Sequence, residues 1–202
     1  MWNAVAVMVL ALSHAGAAQM VVERSGADIT IRVHAEAEDV AAWLPTAQAL
    51  VDRIFAELSL SVSWVDCVSE VNSMCDRAPA GAEFVIRLRR QRTDRASHGC
   101  GVSLRPHAAP GHYITLFVDC IRAASDTLGT PESVLGAYTI AHEIGHLLLP
   151  VGHASRGIMR ARPDRLDWAR AERGGLRFQP SEVQQIRSAL QRRTPAGTPM
   201  RH

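Results

Sequence analysis

Two prolines frame the segment that most constrains how this chain can fold. Thr130-Pro131-Glu132 offers a capping side chain, a proline at the first helical position and an acid in the first turn, and Pro150 forces a stop. The helix between them carries His142-Glu143-Ile144-Gly145-His146. Residues four apart lie one turn up on nearly the same face, so His142 and His146 can turn their imidazoles to one divalent ion. Glu143 is rotated by about 100° around the helix axis. That is too far for an equal third ligand, but it lets the carboxylate reach a water held by the ion and act as general base. Gly145 costs the helix about 1 kcal/mol relative to alanine, a penalty that makes sense if another group packs close there.

A helix supplies only two ligands at this spacing, so a third must come from elsewhere. The chain turns at Pro150-Val151-Gly152 straight into His153, and Met159 follows six residues later in Arg156-Gly157-Ile158-Met159. This is the layout of a three-histidine zinc site, open at its fourth position and resting on a methionine that does not coordinate. His153 is therefore the expected third ligand of a Zn2+ ion shared with His142 and His146, with ring nitrogens at roughly 2.0 to 2.1 Å from it. Asp164, Asp167 and Glu172 are the alternatives for closing the site. Tyr138, one turn before His142, reads as a core or supporting residue, and His34, His98, His107, His112 and His202 read as surface histidines.

The first twenty residues bear on the compartment. Ala4 to Leu12 is an uninterrupted apolar run of nine, followed by Ser13, His14 and Ala15-Gly16-Ala17-Ala18. This is the pattern of a secretory signal cleaved after Ala17 or Ala18. The run is far short of the about 20 residues that span a bilayer. Residues 1–18 are thus expected to be removed, leaving a secreted or periplasmic protein without a membrane span. In an oxidising compartment the four cysteines are expected as disulfides, for which three connectivities are possible. Cys67 and Cys75 flank a polar stretch with Ser69, Asn72 and Ser73 that suits a short staple, which leaves Cys100 with Cys120. No cysteine pair has C-x-x-C spacing, which speaks against a cysteine-rich metal site.

The formal net charge of +2 is too small to make nucleic acid the default partner. All 22 basic residues are arginine, and from Arg156 onward eleven of them face only four acids, a basic skirt on the last quarter of the chain. The absence of lysine reads as codon usage, because a solvated arginine is replaceable by lysine unless it makes a bidentate contact.

With 47% hydrophobic and 21% charged residues, a chain of 202 can bury one core but not two large ones. A single monomeric domain over residues 19–193 is expected, with a disordered Pro/Gly/Thr-rich tail over 194–202. Ile29, Ile31 and Val33 alternate as in a half-buried strand. From about Pro45, Ala47, Leu50, Val51, Ile54, Phe55 and Leu58 recur as the stripe of an amphipathic helix. Val62 to Val65 and Phe84 to Leu88 read as strands, the latter with an arginine cluster at its exit. Ser97 to Leu104 is glycine-spaced and suits only an edge, and Tyr113 to Asp119 reads as a buried strand. After the histidine-bearing helix come an irregular arginine-rich stretch and a short helix over Pro180 to Arg193.

The block His142-Glu143-Ile144-Gly145-His146-Leu147-Leu148-Leu149, then His153, then Gly157-Ile158-Met159-Arg160-Ala161, resembles a family of exported bacterial proteins with a zincin-type signature, related in layout to the metzincin metallopeptidases. The likeness extends back through Trp64-Val65-Asp66-Cys67, Phe84 to Leu88 and Phe117-Val118-Asp119. It departs from metzincins in one respect: their third histidine lies ten residues after the first and follows a glycine at the helix end, whereas His153 lies eleven after His142 and Pro150 occupies the turn. The resemblance implies an α+β fold of zincin or metzincin type. Such a fold has a mixed twisted sheet with an antiparallel edge strand, a backing helix and the HExxH helix, followed by a small irregular C-terminal part with a short helix. Gly99 to Leu104 would be the edge that pairs with an extended peptide, and a Cys100–Cys120 bridge would tie that edge to the end of the next strand. The implied activity is zinc-dependent hydrolysis of a peptide or protein substrate with Glu143 as base. Two other classes stand beside it. A zinc-binding or adhesion module without turnover has no need of an acid at Glu143, and an amidase acting on cell-wall material needs the same activated water.

Overall fold

Strands β1 (Ile29–Ala35), β2 (Val62–Asp66), β3 (Glu83–Arg89), β4 (Gly101–Leu104) and β5 (Tyr113–Phe117) form one sheet in the order β2-β1-β3-β5-β4. The computed structural model describes residues 28–35, 42–67, 73–91, 99–107, 109–150 and 152–193. The expected signal segment 1–18 and tail 194–202 lie outside the described residues. The first four strands in that order run parallel, and β4 alone is antiparallel, with Gly101 opposite Leu116 and Ser103 opposite Ile114. The sheet is thus mixed, with an antiparallel edge, and the glycine-spaced segment supplies that edge as its weak pattern suggests.

Ile29, Ile31 and Val33 are buried on one face of β1. The opposite face does not follow the half-buried pattern, because Arg32 is only 1% exposed. Its guanidinium donates to the carbonyls of Met74 and, at 2.9 Å, Arg77. These belong to a short helix α2 (Ser73–Asp76) and the chain just after it, a stretch that reads as plain loop in sequence.

Helix α1 (Leu44–Ala56) buries Ala47, Val51, Ile54 and Phe55, the expected stripe, and packs on α4 (Glu132–Leu148). Helix α4 also touches β4, β5, α3 (Val118–Leu128), α5 (Arg165–Glu172) and α6 (Pro180–Arg193). Neighbours on so many sides explain why twelve of its 17 residues are buried, where a surface helix buries only one stripe. Its start differs by one position from the sequence reading. Pro131 takes the cap position without a side-chain hydrogen bond, and its carbonyl accepts from Val134 and Leu135 at 2.9 and 3.1 Å. Thr130 instead ties the corner between α3 and α4, its carbonyl accepting from Ser125 Oγ at 2.7 Å. At the other end Arg193 Nη2 donates to the Leu147 carbonyl at 2.8 Å and Arg105 Nη1 to the Leu149 carbonyl at 2.7 Å. Both cations satisfy helix-end carbonyls that carry partial negative charge.

Two further elements differ from the sequence reading. The strand expected to reach Asp119 stops at Phe117, where α3 begins, and α3 ends at Gly129 in the left-handed conformation, φ 71°. The arginine-rich stretch is not wholly irregular, since α5 forms there on a capping box in which Asp164 and Asp167 each satisfy the other's backbone N–H. The terminal helix falls at Pro180–Arg193 as expected. Disulfides join Cys67 to Cys75 and Cys100 to Cys120, with Cα atoms 5.7 and 5.3 Å apart. Among the described residues no helix is long and apolar enough to cross a membrane.

Candidate metal centre

His142 and His146 lie one turn apart on α4, their ring centroids separated by 4.5 Å. His153 comes back to them from the chain beyond Pro150, with its ring centroid 5.3 Å from that of His142 and 4.8 Å from that of His146. One ligand atom from each ring lies within 4.8 Å of the others, a donor set that can hold a metal ion. The return path is a tight loop: Ala154 N–H donates to the Met159 carbonyl at 2.8 Å, and Ala154 and Arg160 form an isolated bridge.

The chemistry of the donors fits a divalent metal. His142 Nδ1 lies 2.7 Å from the Ile158 carbonyl oxygen. A carbonyl only accepts, so Nδ1 carries the proton and Nε2 keeps its lone pair for a ligand. Burial lowers the pKa of His142 despite this hydrogen bond. His146 is lowered to about 4 by burial, then by the neighbouring His142, His153 and Arg105. Both imidazoles are therefore neutral near pH 7, the form that binds metals.

Met159 lies against α4 at Gly145, directly before His146. It is 1% exposed, and a Cβ at Gly145 would collide with its sulfur and stand 3.3 Å from the Phe178 ring. The close packing expected from a glycine inside a helix is thus the methionine itself. The loop holding Met159 turns at Gly157, where φ is 78° and a Cβ would meet the Arg177 carbonyl oxygen at 2.5 Å.

Glu143 is 6% exposed and faces the edge strand. Burial pushes its carboxyl above the ordinary range, outweighing the lowering influence of the nearby Ser103 and His153. Only glycine fits at position 101, because a Cβ there would lie 2.7 Å from Thr139 Cγ2 and 2.8 Å from Glu143 Cγ. The spacing Gly99-Cys100-Gly101 carried this signal, but nothing in sequence tied it to Glu143. A cleft of about 850 Å³ opens beside these groups, bordered by β4, the histidines and apolar side chains such as Ile121, Leu135 and Leu176.

The alternative ligands have other work. Asp164 and Asp167 cap α5 and pair with Arg160, the former at 2.6 Å, and Glu172 is exposed at the end of α5. None of the three belongs to the histidine cluster. Tyr138 lines the cleft with its hydroxyl donating to the Ala171 carbonyl at 3.3 Å, a supporting role. His112 Nδ1 meets the Glu83 carbonyl at 2.7 Å, His34 is half-buried and His107 exposed, all away from the cluster. His98 and His202 lie outside the described residues. The chain matches no known family model and no curated protein.

Proposed function

We propose that the protein is an exported zinc metallopeptidase of zincin type, close in layout to the metzincins. The observation that carries this reading is the convergence of His142, His146 and His153 beside a buried carboxylate, Glu143, on a cleft bordered by an antiparallel strand edge. His142, His146 and His153 would hold the ion, with Ile158 fixing the tautomer of His142. Zinc bound there supplies Lewis acidity toward a water molecule and the scissile carbonyl. Glu143 takes a proton from the attacking water and later delivers it to the leaving nitrogen. A carboxyl raised by burial suits both halves of that transfer. The outward edge of β4 aligns an extended peptide across the cleft, and Met159 supports the histidines from behind. Two disulfides agree with an oxidising compartment, secreted or periplasmic.

The test is cleavage of a peptide library by zinc-loaded protein, with Glu143→Ala as the control. Wild type should cleave. The variant should keep its metal and lose hydrolysis by about two to four orders of magnitude, the usual weight of a general base. Unchanged turnover in Glu143→Ala would remove the mechanism, and hydrolysis of cell-wall amides in place of peptides would reassign the substrate.

A further inference from the structure

Among the described residues four large apolar side chains stand exposed, and three of them share one place: Val102 at 40%, Leu104 at 65% and Tyr113 at 38%. Leu104 lies directly opposite Tyr113 in the β4–β5 register, and Val102 opposite Thr115, so the three occupy one face of the sheet edge. Gly101 and Ser103 alternate with them and take the other face, where a Cβ on Gly101 would run into Thr139 and Glu143 of α4. Phe117 N–H donates to the Cys100 carbonyl at 2.8 Å. From that point the antiparallel ladder gives the backbone groups of Val102 and Leu104 to β5 and turns those of Gly101 and Ser103 to the open edge. An apolar patch thus flanks the open edge on the side away from α4, bounded on β3 by Arg87, whose guanidinium stands 5.7 Å from the Tyr113 ring centre. On the side of α4 the edge is flanked by the cleft, with apolar walls at Ile121, Leu135 and Leu176.

We propose that Val102 and Leu104 are specificity-determining residues that select an extended peptide with apolar side chains two positions apart; this rests on the peptidase reading above. A strand added along Gly101 and Ser103 sends alternate side chains to opposite faces. Those on the outer face become cross-strand neighbours of Val102 and Leu104 and cover apolar surface that water otherwise touches. Those on the inner face enter the cleft. One peptide spans both surfaces, because they are the two faces of a single strand and Val102 borders the cleft as well. The substrate class is therefore an extended segment apolar on both faces, and a segment that alternates apolar with charged residues fits only one of them.

Serine scanning of an extended peptide that wild type cleaves should find two positions, i and i+2, at which serine lowers kcat/KM by about three- to tenfold each. In Val102→Ser/Leu104→Ser that sensitivity should fall below about twofold, with the unfolding midpoint reporting an intact fold. Leu104→Glu should instead favour lysine over leucine at one of the two positions, which a merely loosened strand would not do. Sensitivity retained in the double variant, or no gain for lysine, would overturn the proposal. A second copy is the other occupant such an edge can take. A wild-type dimer in sedimentation that Val102→Ser/Leu104→Ser dissociates would therefore overturn it too. A further measurement needs no turnover: in Glu143→Ala, a lysine-flanked peptide of alternating leucine and threonine should shift the Val102 and Leu104 methyl signals in NMR, and its serine–threonine counterpart should not. If wild type cleaves no peptide but those methyls shift, the peptidase reading fails and the selecting surface stands. If peptides are cleaved and the methyls stay in place, the surface fails and the peptidase reading stands.

Discussion

Gly157 sets the turn on which His142 rests. Its positive φ and the nearby Arg177 carbonyl leave no room for a side chain, and the next residue offers its carbonyl to His142 and its N–H to Arg177 at 3.1 Å. Gly157→Ala should therefore cost about 1 to 3 kcal/mol in urea unfolding and also reduce bound metal, because the same backbone shift moves the Ile158 oxygen. A variant as stable as wild type would show that the turn has slack. The ligands themselves were readable one residue at a time, since spacing along a helix and a proline stop are local facts. Ser103 and the Ile158 carbonyl were not. The first lies near Glu143 on a strand 40 residues earlier in the chain, and the second is a backbone group whose position depends on the fold and not on its residue type.

At the scale of elements, the Cys100–Cys120 disulfide ties the edge strand β4 to α3 across a separation of 20 residues. Replacing both cysteines by serine should destabilise the fold by about 3 kcal/mol on loop entropy and raise KM for extended peptides, because among the described elements β4 is otherwise held mainly along β5 and α4. Unfolding and kinetics under oxidising conditions measure both; an unchanged KM would mean that the edge is rigid without its tether. The start of β3 carries a pH-dependent contact. Burial would push the Glu83 carboxyl up, but hydrogen bonds from Arg77 and the Ala80 N–H, with the charges of Arg77 and Arg32, hold it below the ordinary range. A depressed folded pKa adds stability that is present above the unfolded value, about 4.3, and fades as pH falls through the folded value. Unfolding free energy should drop through that window, and Glu83→Gln should flatten the slope at low pH while being less stable near pH 7. Parallel slopes for the two proteins would exclude Glu83 as a contributor. Helices α3 and α5 escaped the sequence reading for a shared reason: each buries only two residues, Val118 with Ile121 and Asp167 with Ala171. Their signals are at the ends, Gly129 after one and the Asp164 to Asp167 box before the other.

Across the whole molecule, the basic skirt is partly structural. Arg193 spans the Gly111 and Leu147 carbonyls at 3.0 and 2.8 Å, and Arg187 reaches the Leu58 carbonyl at 2.8 Å. Lysine cannot make the forked contact of Arg193, so codon usage is not the full reason for an all-arginine chain. The order of strands, with β1 between β2 and β3, was beyond sequence reasoning because parallel neighbours meet through crossovers and not through local turns. What remained readable was the element that the rest surrounds, the helix carrying His142, Glu143 and His146. Metal analysis of purified protein, loaded with zinc and dialysed, tests that centre directly. About one zinc per chain is expected in wild type and in Asp164→Ala, with a higher unfolding midpoint than after chelation, and His153→Ala should lose both the metal and the shift. Wild type without bound metal, or His153→Ala retaining it in full, would contradict a three-histidine centre.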